Sequence, residues 1–401
     1  MPCRVLLVAS VCASLGVGCT RRADVATSPG AEEARVRDLD IAFYQARLDR
    51  DPTGAIDLQR LGTLYLQRGR AQVSEQDFRR AEEAARRSLA NGPTRHPSAW
   101  QLLAAGLAAQ HRFEEARGAA RMRLALEPGS PAAASALGEI LLELGEYRGA
   151  DSVFVPLGPL EEDFTVGPRL ARWHELRGRV GRAHAILARL RDSAVAMDDL
   201  STEHRLWLHL RLGDLAVRFG RLREARRELS AASRLAPDDP RVLGASARLA
   251  VARRRFREAI DLAERALSVG PDPSLFATLA DAHRAVGDTE RAESFLHGLE
   301  ASLSGQTGGG PIHRAWSLTL LDHGRDPEAV LRRAHRDLAQ RKDVYGWDVL
   351  AWALFRCGRV LEASEAMREA LRWGTEDPLL HRHARAIEEI AARASHARDD
   401  G

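Results

Sequence analysis

Histidine pairs are the first residues in this chain whose spacing invites chemistry. His381 and His383 flank Arg382, with Glu388 and Glu389 one to two turns further on. On a helix, residues two apart point roughly 200° from each other, so this His-x-His is a poor clamp for one ion. His174-Glu175 lacks the second histidine of a zinc-hydrolase helix, and His204 and His209 stand five apart. Both pairs are expected to be surface or packing residues. Phosphate chemistry fares no better. No Gly-x-x-x-x-Gly-Lys-Ser/Thr occurs, and the only lysine, Lys342, has no glycine loop before it. Gly308-Gly309-Gly310 follows no strand and reads as a linker. A Gly-x-Ser-x-Gly elbow is missing too. The expectation is a non-enzyme with no catalytic residue, no metal and no cofactor.

The cysteines divide by location: Cys3, Cys12 and Cys19 precede the body of the chain, and Cys357 stands alone within it. One body cysteine makes neither a disulfide framework nor a zinc site, so Cys357 is expected as a half-buried packing thiol. Residues 1–19 begin with Arg4 and continue in an apolar run from Val5 to Val17, too short to span a bilayer as a helix. This reads as an export signal. Its end, Leu15-Gly16-Val17-Gly18-Cys19, resembles the lipobox of bacterial lipoproteins, with Leu15 one place further from the cysteine than usual. The resemblance implies lipidation of Cys19 and stable anchoring through several acyl chains. Ordinary cleavage by signal peptidase is the other reading. Thr20, where an aspartate would imply inner-membrane retention, favours the periplasmic face of the outer membrane. Residues 20–37 carry Ser28-Pro29-Gly30 and no hydrophobic periodicity, and are expected as a flexible tether.

What positions side chains in the rest of the chain is a ladder of alanines. Ala81, Ala116, Ala150, Ala183, Ala225, Ala259, Ala292, Ala329 and Ala363 recur at steps scattered about a period of roughly 34 residues. A glycine precedes six of them by five residues: Gly145, Gly178, Gly220, Gly287, Gly324 and Gly358. Trp100, Leu103, Ala104, Leu107, Ala116, Ala120 and Pro128 fall within one period and resemble the tetratricopeptide repeat (TPR). Leu61-Gly62, Leu137-Gly138, Leu212-Gly213 and Leu350-Ala351 repeat the first-helix part of that pattern. The resemblance implies an all-α, right-handed α-solenoid of about nine TPR-like helix-turn-helix repeats with helical caps. The small residues let paired helices approach closely, and the glycines close the first helices in the left-handed conformation.

The expected organisation is a cap helix and about seven repeats over 38–304, a Gly-rich linker over 305–310, two further repeats over 311–377, and a capping helix and tail over 378–401. Excess residues between Gly69 and Ala81, around Asp192 to Glu203, and at 305–310 are expected as loops, the last as a hinge near 308. Charge is interleaved, with 59 basic and 56 acidic residues, which gives no nucleic-acid footprint. In the TPR family the first helices line a concave face. Carried over unit by unit, that face presents Gln101, Ser135, Glu139, Arg172, Asp214, Arg218, Arg248, Asp281, Arg284, Arg314, Asp348 and Arg356. The resemblance therefore implies a protein or peptide ligand in the groove of an envelope-anchored scaffold, an assembly or secretion accessory factor being one form of it. The alternative is a cell-wall glycan or another non-protein envelope ligand stacked on exposed tryptophan. With Lys342 and Asn91 the only residues of their types, the lysine and asparagine clamp of some TPR modules cannot be carried over.

Overall fold

Alanine, leucine, arginine and glutamate, all strong helix formers, fill the periodic segments, and serine, aspartate and proline punctuate them. The computed structural model describes residues 28–72, 74–91, 96–269, 274–304 and 314–399. Twenty α-helices result, and no strand occurs among the described residues. A first helix, α1 (Pro29–Arg50), precedes nine hairpins. These are α2 (Ala55–Gln72) with α3 (Glu75–Asn91), α4 (Pro97–Ala109) with α5 (Phe113–Leu126), and α6 (Pro131–Leu144) with α7 (Tyr147–Leu157). Next come α8 (Gly167–Leu176) with α9 (Val180–Ala194), α10 (Thr202–Arg218) with α11 (Leu222–Leu235), and α12 (Pro240–Ala252) with α13 (Phe256–Val269). The last are α14 (Ser274–Ala285) with α15 (Thr289–Ser304), α16 (Arg314–Asp322) with α17 (Pro327–Gln340), and α18 (Val344–Arg356) with α19 (Val360–Leu371). Helix α20 (Pro378–Asp399) closes the series. The chain is an all-α solenoid of helical hairpins.

The ladder alanines lie on the second helices, and eight of the nine are buried. The exception is Ala329, which is half-buried. Asp326 adds a residue as the N-cap of α17, so Val330 takes the buried rung instead. All six turn glycines have positive φ, from +69° to +87°. His111 and Arg254 hold the same left-handed place in two of the turns that lack glycine. The Leu-Gly pairs mark close approach: a Cβ on Gly138 would stand 2.8 Å from the Phe154 ring, and one on Gly213 2.8 Å from Leu229.

Several expectations need correction. Helix α1 begins at Pro29, capped by Ser28, so residues 29–37 are helical rather than a tether. Tertiary contact holds them: Glu33 accepts hydrogen bonds from the Thr202 and Glu203 amides at the start of α10, and Gly30 lies against Ala236. The excess after Gly69 is no loop; α2 continues past that glycine and α3 starts a turn early, with Phe78 packed on Gly69. Around 192–203 the excess is shared between a connection at 195–201 and the ends of α9 and α10. The linker 305–310 and Cys19 lie outside the described residues. Near the expected hinge at 308 the core does not divide: Leu299 of α15 packs in one apolar cluster with Trp316, Leu320 and Leu321 of α16.

The array also closes on itself. The turn after α17 meets the turn between α6 and α7, where the Lys342 amide donates to the Leu144 carbonyl (3.1 Å) and the Val344 amide to the Tyr147 hydroxyl (3.0 Å). The segment between α19 and α20 meets the end of α8, where Thr375 Oγ1 donates to the Leu176 carbonyl (2.6 Å). Trp373 packs on Tyr147 with ring centroids 5.2 Å apart, and Arg341 lies over the Phe113 ring. Val344 accordingly belongs to the apolar cluster that runs from Ile41 of α1 to Leu212 of α10.

Candidate functional site on the first-helix face

The first helices α8 and α10 each present a charged stripe at helical spacing, Arg172-Glu175 and Arg211-Asp214-Arg218, and closure brings α18 and the start of α20 onto it. Glu175 is buried at the centre and is held by Arg172 (3.1 Å), Arg211 and Arg218. Burial alone would raise its carboxyl, but the three guanidiniums outweigh that and hold it at about 2. Arg218 continues to Asp377 (2.9 Å), which also accepts from the Tyr345 hydroxyl (3.4 Å), while Arg172 lies over the Tyr345 ring. Asp214 sits between Arg211 (3.2 Å) and Arg218 (3.5 Å). Three guanidiniums thus meet three carboxylates. The cluster is neutral and ties the last repeat to the middle of the array rather than awaiting a charged ligand.

Arg172, Asp214 and Arg218, expected from separate repeats as groove residues, therefore converge in one network. Most of the others are engaged singly. Ser135 is buried with its hydroxyl donating to Ala132 O, and Glu139 accepts from Arg169 at 2.8 Å. Asp281 and Arg284 both meet His323, and Arg284 also pairs with Glu293. Arg314 is spent on Asp337 and Asp343. Asp348 is buried against His383 Nδ1 (2.8 Å), and burial pushes its carboxyl up. Ser135, Arg314 and Asp348 are thereby corrected from groove-facing to internal positions: closure and helix packing enclose polar groups that an open array would expose. Gln101 and Arg356 remain exposed.

The histidines are likewise structural. His383 stacks on Trp352 with centroids 4.2 Å apart, and His381 turns away toward Glu376. His174 is buried, and burial together with Arg179 pushes it down to about 4. Among the described residues no three of His, Cys, Asp or Glu group as metal ligands. Cys357 is half-buried, and burial pushes its thiol up.

One stretch of the first-helix face stays open. A cleft of about 320 Å³ lies between α10, α12 and the start of α14, lined among others by Trp207, Leu210, Arg211, Asp214, Arg241 and Arg248. Trp207 is 38% exposed, and it is the one tryptophan in the exposed class among the described residues. Arg241 is held by Glu203 (2.6 and 2.8 Å) and Asp239, and Arg211 by Glu175 and Asp214. Arg248 is exposed and makes no ion pair among the described residues. Asp214 and Arg248 are thus brought together here beside Trp207, one of the tryptophans expected as a stacking surface, while Trp207's place beside Arg211 and the role of Arg241 were missed. The signal existed: Trp207, Arg211, Asp214 and Arg218 recur at four, three and four residues and form one helical stripe.

No helix of the described residues is long and apolar enough to cross a membrane. No family model matches this chain, and no curated protein does. Among solved structures, Pseudomonas aeruginosa PilF aligns over 52% of this chain and 93% of its own length, at 19% identity and a TM-score of 0.41. Human IFIT1, solved as a dimer with PPP-AAAA, aligns over 82% of this chain and 86% of its own, at 14% identity and a TM-score of 0.48. PilW, a type IV pilus biogenesis factor, aligns over 60% and 93%, at 15% identity and a TM-score of 0.32. None of these three reaches a TM-score of 0.5, and the architecture is read from the chain's own helices.

Proposed function

We propose that this chain is a non-enzymatic, envelope-anchored scaffold that holds a segment of another protein on the open part of its first-helix face. The observation that carries this reading is the cleft of α10, α12 and α14, where the exposed indole of Trp207 stands beside Arg248, a guanidinium with no ion pair among the described residues. The apolar run ending at Cys19 supports export and lipidation, which leave the solenoid facing the periplasm on a short lead. A bound glycan is the second reading, and Trp207 is the stacking surface that favours it.

The test is a pull-down from crosslinked envelopes using the full chain, its Cys19→Ser variant and its Trp207→Ala variant. A protein recovered with the parent and lost with Trp207→Ala is expected. Recovery of no specific protein overturns the scaffold reading and promotes the glycan. Unchanged membrane fractionation of Cys19→Ser overturns the anchor.

A further inference from the structure

We infer that the outward face of α1 lies in the surface of the membrane that anchors the chain, with Val36, Leu39 and Phe43 entering the boundary of the acyl chains. The inference rests on the anchor reading above and adds how the solenoid is set against the bilayer. Helix α1 carries two apolar stripes of the same spacing. Ile41, Tyr44 and Leu48 stand at i, i+3 and i+7 and face the core, with Ile41 and Leu48 buried and Tyr44 half-buried. Val36, Leu39 and Phe43 repeat that spacing five residues earlier, which turns them by roughly 140° onto the far side of the helix. They are 44%, 58% and 56% exposed. Among the described residues the other large apolar side chains in the exposed class stand one to a helix or connection, and α1 alone gathers three.

The size and place of this stripe select its occupant. Three half-exposed side chains on a convex helix offer far less than the roughly 800 Å² that each partner gives a standard protein interface, so a second copy has too little to hold. A lipid surface brought close by an anchor needs less. Ser28, the N-cap of α1, follows Cys19 by nine positions, and nine residues reach at most about 30 Å. Acyl chains on Cys19 keep α1 within that distance of the bilayer, and the contact becomes intramolecular, at high effective concentration. Charge along the stripe is balanced: Arg35 pairs with Glu32 (2.9 Å) and Arg47 with Asp57 (2.7 Å), while exposed Asp40 and Arg50 have opposite signs. Zwitterionic lipid therefore suffices, and Arg47, which lies over the Phe43 ring, can reach headgroups as the ring sinks. Glu33 bonds α1 to the start of α10, and Gln45 bonds it to Tyr65 of α2, so the membrane contact orients the whole body.

The experiment places a nitrobenzoxadiazole label beside the stripe and asks whether lipid reaches it. The full chain, purified from envelopes with Cys357→Ala, carries the label at Ala46→Cys, an exposed position one turn after Phe43, or at Leu361→Cys on α19, 61% exposed. It is reconstituted in phosphatidylethanolamine–phosphatidylglycerol vesicles containing lipids with a doxyl quencher on the acyl chain. A blue-shifted, quenched emission is expected at 46 and a water-like, unquenched one at 361. Leu39→Ser with Phe43→Ser should abolish the shift and the quenching at 46 while the helical circular dichroism stays unchanged. Equal quenching at 46 and 361 overturns the inference, as does quenching at 46 that survives the two serines. Crosslinking in the same vesicles that joins two copies through α1 overturns it in favour of self-association. Mass spectrometry of the N-terminal peptide separates the two readings: a Cys19 without acyl chains overturns the anchor and this inference with it, whereas an acylated chain with an unquenched label at 46 overturns this inference alone.

Discussion

Gly145 and Gly178 allow closure to be separated from ordinary turn geometry. Both adopt positive φ, +81° and +70°, as do Gly220 at +69° and Gly358 at +78°. Alanine at any of the four incurs the left-handed penalty of about 1–2 kcal/mol. Their surroundings differ. A Cβ at Gly145 would stand 2.3 Å from the Lys342 carbonyl oxygen and one at Gly178 2.1 Å from that of Gly374, whereas Gly220 and Gly358 have nothing within 4 Å. The colliding atoms are backbone, so a rotamer change cannot relieve them. Overpacking of this kind adds about 1–3 kcal/mol, and opening the contact to escape it forfeits the bonds from Lys342, Val344 and Thr375, at about 0.5–1.5 kcal/mol each. Gly145→Ala and Gly178→Ala should therefore cost about 1–3 kcal/mol more than Gly220→Ala and Gly358→Ala. Urea unfolding followed at 222 nm gives the ranking, and small-angle scattering should show a larger radius of gyration for the first two alone. Equal midpoints for all four variants, with unchanged scattering, would refute closure in solution.

Glu175 sets an acid-sensitive term. Its pKa is depressed to about 2, so its stabilisation is complete above the unfolded value near 4.3 and is lost as pH falls through about 2. A shift of that size corresponds to about 3 kcal/mol at neutral pH; Glu175→Gln should lower the urea midpoint strongly at pH 7 and much less near pH 2, and parallel pH profiles for variant and parent would count against it. Glu33→Ala removes the acceptor for the Thr202 and Glu203 amides, and should cost about 1 kcal/mol and speed amide exchange in α1 and the first turn of α10. Unaltered exchange there would mean that α1 does not cap α10. Arg254→Gly relieves a left-handed non-glycine residue at φ +60°, and thermal melts should show stabilisation by up to about 1 kcal/mol. A lower melting temperature would contradict the assigned strain.

The repeats were legible because their residues act locally. A glycine five positions before a buried alanine specifies a turn and a helix contact within a single hairpin, so six of six such glycines have positive φ. Ala329 shows the limit of that reading, since one inserted N-cap residue moves the buried rung to Val330 without disturbing the glycine spacing. Residues 29–37 were missed because their helix is fixed by α10 and Ala236, far away in sequence, and their own hydrophobic pattern is weak. The groove residues were placed on the correct helices, yet their availability depended on partners from other repeats. Arg218 is spent on Asp377, 159 residues away, which no periodicity announces.

Solenoids ordinarily behave as one-dimensional chains of neighbours, in which each repeat is stabilised by the next and unfolding can fray from either end. The bonds between Arg341 and Glu143, Val344 and Tyr147, and Thr375 and Leu176 join residues 198, 197 and 199 positions apart. Such contacts form only after a long loop has closed, which raises the contact order and makes the last folding step slow. In return the final repeats cease to be a free end. Their loss should be felt in the middle of the array, at α6 to α8, before it reaches the neighbouring α14 and α15.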